Sequence, residues 1–180
     1  MAVSLTTAVN NYFGSKVMVP ATGIILNNVM NDFSIPNISD NGSQPAPANC
    51  IRPGKRPLSA NVPLIAEFKA NGTLALALGA AGGPRIITAT VEAALGVLDG
   101  GLSAAAALSR PRFHDQLRPD YIELDWRFDN ATAAGLRARG HTVTWTRPGH
   151  SLVMAVRRLP NGTLEAAADP NTSDGGGFAI

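Results

Sequence analysis

Two runs of different periodicity meet at residues 79–84, and this junction limits the folds open to the chain. Residues 74–78 alternate large and small apolar side chains, as a strand does, and residues 85–98 repeat them at helical spacing. The junction reads Gly-Ala-Ala-Gly-Gly-Pro. Because glycine weakens both strands and helices, adjacent glycines here indicate backbone that must approach another group closely.

A helix that begins just after Gly83 would direct its free N–H groups and positive dipole end toward this junction. An anion, a carboxylate or a developing oxyanion could bind there. The alternative is that the glycines only let a helix and a sheet pack closely. A phosphate-binding loop is not indicated, because no Lys-Ser/Thr pair follows and the G-x-G-x-x-G spacing is absent.

Length and composition predict a single globular domain over residues 1–180. Hydrophobic residues make up 45% of the chain and charged residues 16%, which allows a substantial core. The net charge is +2, and only residues 52–56 (Arg-Pro-Gly-Lys-Arg) are locally basic, so we expect no nucleic-acid partner. No apolar run reaches membrane-spanning length. We also expect no metal and no cofactor.

Six Asn-x-Ser/Thr sequons favour a secretory history and an extracellular, vacuolar or membrane-associated location. They begin at Asn37, Asn41, Asn71, Asn130, Asn161 and Asn171. The alternative reading applies to two of them, because Asn71-Gly72 and Asn161-Gly162 are also strong hairpin turns that need no sugar. Met1 to Ser4 does not resemble a signal peptide, so we expect any targeting segment to lie outside this sequence.

Runs of strands with a few helices between them predict a layered α+β sheet domain. We expect helix 85–98 to bury one broad apolar face of Ile86, Ile87, Val91, Ala94, Leu95 and Leu98. Ser103 should cap a second helix, and Gly140 should end a third. The predicted strands are 2–10, 23–28, 62–69, 73–79, 112–116, 121–125, 142–146, 152–158 and 163–168, and the second and third helices are 104–108 and 130–139.

Two segments carry little periodicity. Residues 34–57 form a long, Pro-rich loop that is either functional or a cover over a site. Residues 171–177 form a Gly-rich tail that we expect to be mobile or held only by a partner. His114 beside Asp115 could be considered a general base, but a single histidine in an arginine-rich strand is more often structural.

Five segments together resemble the γ-glutamyltransferase (glutathione hydrolase) family, in matching order over essentially the whole chain. They are GIILNNVMNDFS (23–34), PANCIRPGKRPLS (47–59), GAAGG (79–83), SRPRFH (109–114) and Ala168-Asp169-Pro170. The resemblance implies the small-subunit part of an N-terminal-nucleophile hydrolase, an αββα layered sandwich that packs against a large subunit. It also implies glutathione and related γ-glutamyl compounds as substrates.

The resemblance assigns roles to five residues. Gly82 and Gly83 match the glycines of the oxyanion hole. Asn10 and Asp32 match residues that hold the donor's α-amino group, and Ser59 matches the first of two serines that hold its α-carboxylate. In the family a precursor cuts itself, and the threonine freed at the new N-terminus attacks the γ-glutamyl amide with its own α-amine as base.

Four polar groups that the family pattern calls for are replaced or absent. Ala8 stands in place of a threonine that supports the nucleophile, Val29 in place of an acidic ligand of the amine, and Ala60 in place of the second serine. We expect the sequence to begin within the small subunit, without its first strand and the nucleophilic threonine. Loss of such a nucleophile costs about a million-fold in rate, or roughly 8 kcal/mol of barrier.

Two hypotheses follow from these matches and departures. In the first, the chain is a small-subunit fragment of a γ-glutamyltransferase, inactive as it stands. In the second, it is a noncatalytic domain that uses the same surface to bind a partner or an amino-acid-like ligand.

Overall fold

The computed structural model of the chain describes residues 1–38, 45–172 and 175–178. Two compact units are present, the first made of Met1–Thr6 with Ala60–Ile180 and the second of Thr7–Ser59. The single domain over residues 1–180 stays a prediction. None of the helices in the described part of the chain has the length and hydrophobicity that a membrane span requires.

The described residues form a mixture of helices and strands, as the sequence predicts. The strands are β1 Met18–Val19, β2 Ile24–Ile25, β3 Leu64–Glu67, β4 Leu74–Ala81, β5 Phe113–His114, β6 Ile122–Asp125, β7 Val143–Thr146, β8 Leu152–Arg158 and β9 Leu164–Ala168. The helices are α1 Arg85–Leu98, α2 Ala104–Ser109 and α3 Asn130–Ala138, with short 3-10 helices at Val29–Asp32 and Pro47–Asn49.

The larger sheet of the first unit is antiparallel, in the order β3-β4-β8-β9, and α1 and α2 share its core. Leu76, Leu78 and Val153 from the sheet are almost completely buried. Leu108 of α2 is likewise buried, and Ser103 caps that helix by accepting a hydrogen bond from the N–H of Ala106. The sheet and the two helices therefore bury one continuous hydrophobic core.

The buried face of α1 agrees with the predicted one only in part. Ile86 is buried as predicted, but Ile87, Val91, Leu95 and Leu98 are 46–53% exposed. The other buried residues of the helix are Ala89, Thr90, Ala93, Gly96 and Val97. A Cβ atom at Gly96 would lie 3.2 Å from the Cβ of Ala107 in α2. Close packing of α1 against α2 therefore selects a small residue at this contact.

The smaller sheet of the first unit has the order β5-β6-β7, with β6 and β7 parallel and α3 between them in sequence. Asp129 caps α3 by accepting a hydrogen bond from the N–H of Thr132 at 2.6 Å. Ile122 and Leu124 of β6 pack with Ala133 of α3 in a second, smaller core.

Polar side chains on one side of α1 contact the smaller sheet. Arg85, Thr88 and Glu92 are spaced so that they share one side of the helix. Arg85 pairs with Glu123 of β6, and the Thr88 hydroxyl lies 3.0 Å from the His114 ring. The Glu92 carboxylate accepts a hydrogen bond from the N–H of Phe113 at 3.3 Å. Periodicity of apolar residues does not reveal this polar side.

The predicted strand at residues 2–10 is wrong, because no strand is assigned to these residues. Residues 1–6 alternate between exposed and half-buried side chains. The Ser4 hydroxyl instead donates to the carbonyl of Leu78 at 2.7 Å, so this segment crosses β4. Gly79 lies against the same segment, because a Cβ at that glycine would lie 3.6 Å from the Thr6 Oγ1, an ordinary van der Waals distance.

β4 also extends further than predicted. Gly79, Ala80 and Ala81 pair with residues of β8, so the true junction comprises only Gly82, Gly83 and Pro84. By contrast, α1 begins at Arg85 and ends at Leu98, as predicted.

The described part of the tail contacts its own chain. At Gly177 a Cβ would lie 2.7 Å from the Ala166 carbonyl carbon of β9, so this glycine lies against the sheet. The expectation of a tail that is mobile or held only by a partner stays a prediction. A bulky residue could not approach β9 this closely. Residues 173–174 of the predicted tail lie outside the described residues.

In the second unit, β1 and β2 form a short hairpin, so the predicted strand 23–28 is reduced to Ile24–Ile25. The predicted loop 34–57 contains the 3-10 helix Pro47–Asn49 and a bridge between Ser34 and Cys50. Residues 39–44 of this loop lie outside the described residues. Its position over a site stays a prediction.

Burial at the interface of α1 and β5 makes stability depend on pH through Glu92. Desolvation raises the pKa of this carboxyl from 4.5 to about 7. The group is neutral in both folded and unfolded states below pH 4.5, whereas above pH 7 the folded state carries a poorly solvated charge. The free energy of unfolding should therefore fall as pH rises between these values. Glu92→Gln should be more stable than the parent at pH 8, by as much as about 3 kcal/mol, and equal to it at pH 4.

Urea unfolding at both pH values measures this difference. Glu67→Gln, on the exposed side of β3, is the matched control and should show no such dependence. A stability difference for Glu92→Gln that is the same at pH 4 and pH 8 would contradict the burial argument.

Candidate functional site

The turn between β4 and α1 has backbone geometry that requires both glycines. Gly82 has φ +134° and Gly83 has φ +60°, conformations that other residues seldom adopt. A Cβ at Gly82 would also lie 2.6 Å from the His150 carbonyl oxygen and 2.9 Å from the Ser151 Cα. Gly83 has open space on that side. Glycine is therefore required at position 82 because a side chain would clash, and at position 83 because of the backbone angle.

The same turn leaves two N–H groups available. The carbonyls of Gly82 and Gly83 accept the first helical hydrogen bonds, from Arg85 at 3.3 Å and Ile86 at 3.1 Å. The N–H groups of the two glycines donate to no other group among the described residues. Adjacent backbone donors at the positive end of a helix can stabilise a developing negative charge.

A buried ion pair holds the residues that lie against Gly82. Arg112 donates to the Ser151 carbonyl oxygen at 2.7 Å, the Ser151 Oγ at 3.1 Å and Asp169 at 2.5 Å. A fourth bond joins it to the Leu108 carbonyl oxygen at 2.9 Å. The side chain of Asp169 is fully buried. Asp169 and Arg112 belong to recognisable sequence motifs, but spacing alone did not show that they meet.

A small, solvent-open pocket lies beside the turn, between the start of α1, the smaller sheet and residues 146–151. Arg85 binds Glu123 there through two bonds of 2.6 and 2.7 Å. These bonds hold the pKa of Glu123 below its ordinary value and raise that of Arg85. Among the described residues, no group of three or more His, Cys, Asp or Glu side chains could hold a metal ion.

His114 has structural partners rather than catalytic ones. Its Nδ1 lies 3.0 Å from the Thr88 Oγ1, and its Nε2 lies 3.0 Å from the Gln116 Oε1. Asp115 instead accepts a hydrogen bond from the N–H of Leu117. The structural interpretation of His114 fits these contacts, since both ring nitrogens are engaged.

Two predicted donor-binding residues meet in the second unit. The Ser59 hydroxyl donates to the Asp32 carboxylate in a short hydrogen bond. Asn49 donates to the Asp32 carbonyl oxygen at 2.7 Å and so holds the end of the 3-10 helix. Asp32 and Ser59 therefore present a carboxylate and a hydroxyl side by side.

Asn10 lies at the other end of the same 3-10 helix. It has φ +73°, and its amide nitrogen donates to the carbonyl oxygen of Asn28 at 3.2 Å. Asn10, Asp32 and Ser59 belong to the second unit, and Gly82 and Gly83 belong to the first. Their assembly into one site stays a prediction.

Among the replaced positions, Val29 has the most informative place. It begins the 3-10 helix that Asp32 ends, and residues three apart on such a helix point the same way. A carboxylate at position 29 would therefore stand beside Asp32. Ala8 is exposed and Ala60 is half-buried, and neither offers a polar side chain.

Comparison with known proteins agrees with this fold. A family model described as Gamma-glutamyltranspeptidase matches residues 1–179. A glutathione hydrolase proenzyme of Arthroderma benhamiae is 46% identical over 100% of this chain and 31% of its own length. The chain thus spans less than a third of that relative. Scoloptoxin SSD20 of Scolopendra dehaani is 40% identical over 93% of this chain and 85% of its own length.

A solved structure gives the same result. The Helicobacter pylori gamma-glutamyltranspeptidase T380A mutant superposes with a TM-score of 0.86 at 32% identity, covering 94% of this chain and 93% of that one. This match confirms the predicted α+β fold of the N-terminal-nucleophile hydrolases. By sequence and by structure, the chain belongs to the gamma-glutamyltranspeptidase family.

Proposed function

We propose that this chain is the small-subunit part of a glutathione hydrolase and γ-glutamyltransferase, which cleaves γ-glutamyl amides and transfers the γ-glutamyl group in glutathione catabolism. The observation that carries the proposal is the Gly82–Gly83 turn, with two adjacent N–H groups that no other described residue uses. In this role the two glycines bind the oxyanion of a tetrahedral intermediate. Loss of one donor from such a site costs about a hundredfold to a thousandfold in rate.

Asp32 and Ser59 form the donor-binding part of the proposal, with Asn10. In the free chain the Ser59 hydroxyl donates to Asp32. When a γ-glutamyl donor binds, its ammonium group pairs with the Asp32 carboxylate, and the Ser59 hydroxyl turns to donate to the α-carboxylate. The amine and the carboxylate of the substrate are thus recognised together. Binding of the ammonium group to Asp32 frees the Ser59 hydroxyl, which can then donate to the α-carboxylate.

The 180-residue chain by itself is inactive in this proposal. The hydroxyls of Thr6 and Thr7 lack a free α-amine, because both amines are in peptide bonds. Ala8, Val29 and Ala60 remove further polar groups from the nucleophile's support and the donor site. A charge left without its buried partner costs about 2 to 5 kcal/mol of binding, so the donor site is also weakened.

A large subunit is the proposed partner. The chain spans 31% of the length of the Arthroderma benhamiae relative, which leaves room for a second part of that protein. In addition, α1 exposes four branched apolar side chains, Ile87, Val91, Leu95 and Leu98. An apolar helix face of this kind is typical of a surface that another protein covers.

The proposed location is the secretory pathway, extracellular or vacuolar, or attached to a membrane through another part of the protein. The six sequons support this location. The same sequons support a glycoprotein.

A noncatalytic binding domain is the second candidate. The observation that favours it is the relative Scoloptoxin SSD20, of which this chain covers 85%, so a family member of similar length exists. Ala8, Val29 and Ala60 are equally consistent with a chain that no longer catalyses the reaction. In this alternative, Asp32 and Ser59 bind an amino-acid-like ligand or a partner.

A chimera tests the catalytic proposal. The 180 residues replace the matching part of the Arthroderma benhamiae glutathione hydrolase proenzyme, so that the relative supplies the nucleophile and the large subunit. We expect the chimera to release amine from a γ-glutamyl anilide more slowly than its parent. Ala8→Thr, Val29→Glu and Ala60→Ser together should raise kcat/KM about tenfold or more, because they restore polar contacts with donor and nucleophile. Gly82→Ala should lower kcat about a hundredfold or more.

Ala70→Ser, at the turn of the β3–β4 hairpin, is the control substitution and should leave kcat/KM unchanged. Self-cleavage of the chimera into two subunits, seen on a denaturing gel, shows that it has folded. A cleaved chimera without activity after the three restorations, or with full activity after Gly82→Ala, would contradict the proposed roles.

The binding alternative predicts a different result with the chain alone. L-Glutamate at millimolar concentration should raise the melting temperature of the 180-residue chain, because it binds the folded state at Asp32 and Ser59. Asp32→Asn should abolish the shift, and Asp99→Asn, at the end of α1, should keep it. An unchanged melting temperature of the parent chain would rule out ligand binding of this kind.

A further inference from the structure

Two hairpins of the larger sheet end in the same tripeptide. Asn71-Gly72-Thr73 joins β3 to β4, and Asn161-Gly162-Thr163 joins β8 to β9. β4 and β8 are antiparallel neighbours, with Leu76 opposite Arg157. The start of β4 therefore lies beside the end of β8, and both tips project from the same end of the sheet.

The two tips share one local geometry. The Asn71 Oδ1 accepts hydrogen bonds from the N–H of Thr73 at 3.1 Å and from its hydroxyl at 2.8 Å. The Asn161 Oδ1 accepts the corresponding bonds from Thr163 at 3.1 and 2.7 Å. Both asparagines are exposed, and their amide nitrogens form no hydrogen bond among the described residues. In each sequon the asparagine side chain is thus held beside its threonine, and the amide nitrogen that would accept a glycan is in solvent.

At the first tip the residue opposite the sequon threonine is aromatic. The N–H of Phe68 donates to the Thr73 carbonyl oxygen at 2.8 Å, so the two residues oppose each other across the hairpin. Opposed side chains lie on the same face of a hairpin, and the Asn71 side chain is bound to the Thr73 hydroxyl on that face. Phe68 is 50% exposed, so part of its side chain is open to solvent on the face of the hairpin that carries the Thr73 side chain.

At the second tip an aliphatic residue closes the loop. Leu159 donates its N–H to the Thr163 carbonyl oxygen at 2.8 Å and is half-buried. The chain therefore contains a natural comparison, with two matching sequons of which one has a phenyl ring and the other a leucine.

We propose that Asn71 is an N-glycosylation site at which Phe68 supports the first sugar. The C–H groups on one face of an N-acetylglucosamine are weakly positive, and the face of a phenyl ring is negative, so the two stack favourably. A Cβ at Gly72 would meet no atom within 4 Å, so the turn is open at the residue that follows Asn71. The proposal uses the secretory location proposed above, but it does not depend on catalysis.

The modification is a group transfer from a polyprenyl diphosphate-linked oligosaccharide. The Asn71 Nδ2 attacks the sugar C1, the C1–Nδ2 bond forms, and the bond from C1 to the phosphate oxygen breaks. The polyprenyl diphosphate leaves with the electron pair, and a base of the transferase removes one amide proton. The host's oligosaccharyltransferase and lipid-linked donor supply every reactant other than Asn71.

Two other sequons lack these features. The amide nitrogen of Asn171 donates to the buried Asp169 carboxylate at 2.7 Å, which occupies the atom that would be modified. In the Asn130 sequon, the Thr132 hydroxyl donates to Asp129 at 2.6 Å and belongs to the cap of α3. The serines of the sequons at Asn37 and Asn41 lie outside the described residues.

Peptide mapping tests the site itself. The full chain is secreted from yeast behind a cleavable signal, treated with an amidase that converts glycosylated asparagine to aspartate in heavy-oxygen water, and analysed by mass spectrometry. We expect label at Asn71 in most molecules and none at Asn171. An unlabelled Asn71 in secreted chain that carries label at Asn161 would overturn the proposal.

Melting temperatures test the role of Phe68. Removal of the glycan from Asn71 in an Asn161→Gln chain should lower the melting temperature by about 2 to 4 °C. The fall should disappear in Phe68→Leu, which keeps an apolar side chain but lacks the ring. Leu159→Phe in an Asn71→Gln chain should create the same dependence on the glycan of Asn161. An equal fall with phenylalanine and leucine at position 68 would show that the ring does not support the sugar.

Discussion

The buried carboxylate of Asp169 is the constraint on which the first unit depends. It accepts hydrogen bonds from Arg112, from the N–H of Val153 in β8 and from Asn171, and its side chain is fully buried. Arg112 also donates to the carbonyl oxygens of Leu108 in α2 and of Ser151, so it links both segments to Asp169. Breaking a buried ion pair so that one charge is left without its partner destabilises a protein by about 3 to 5 kcal/mol. Separation of the elements that this pair joins is therefore strongly unfavourable.

This ion pair determines which residue can occupy position 82 of the glycine turn. The backbone of His150 and Ser151 lies where a side chain at position 82 would have to go, so glycine is required there. None of the contacts involves Ala8, Val29 or Ala60. The contacts that hold the turn therefore do not depend on the residues at positions 8, 29 and 60, and the proposed catalytic and noncatalytic functions are both compatible with this fold.

Local signals predicted the elements, and tertiary packing decided the rest. Gly83 marks the start of α1, and the two Asn-Gly pairs mark their hairpins, because these residues act within a few positions of sequence. Most of the buried face of α1 could not be predicted, since the close contact of Gly96 with Ala107 of α2 turns Ile87, Val91, Leu95 and Leu98 away from the core. Nor could Arg112 and Asp169 be paired, because 57 residues separate them. Of the candidate site, the resemblance supplied Asp32 and Ser59, and the structure added their hydrogen bond.

Hydrogen exchange in an Asp169→Asn variant tests most directly whether the buried ion pair holds the glycine turn. The N–H groups of Arg85 and Ile86, which donate to Gly82 and Gly83, should exchange about tenfold faster or more than in the parent, together with that of Val153. Amides of α3 should keep their rates, and Glu165→Gln, in the more exposed pair with Arg157, should change none of these groups. A folded Asp169→Asn variant with parental exchange at Arg85 and Ile86 would contradict the account.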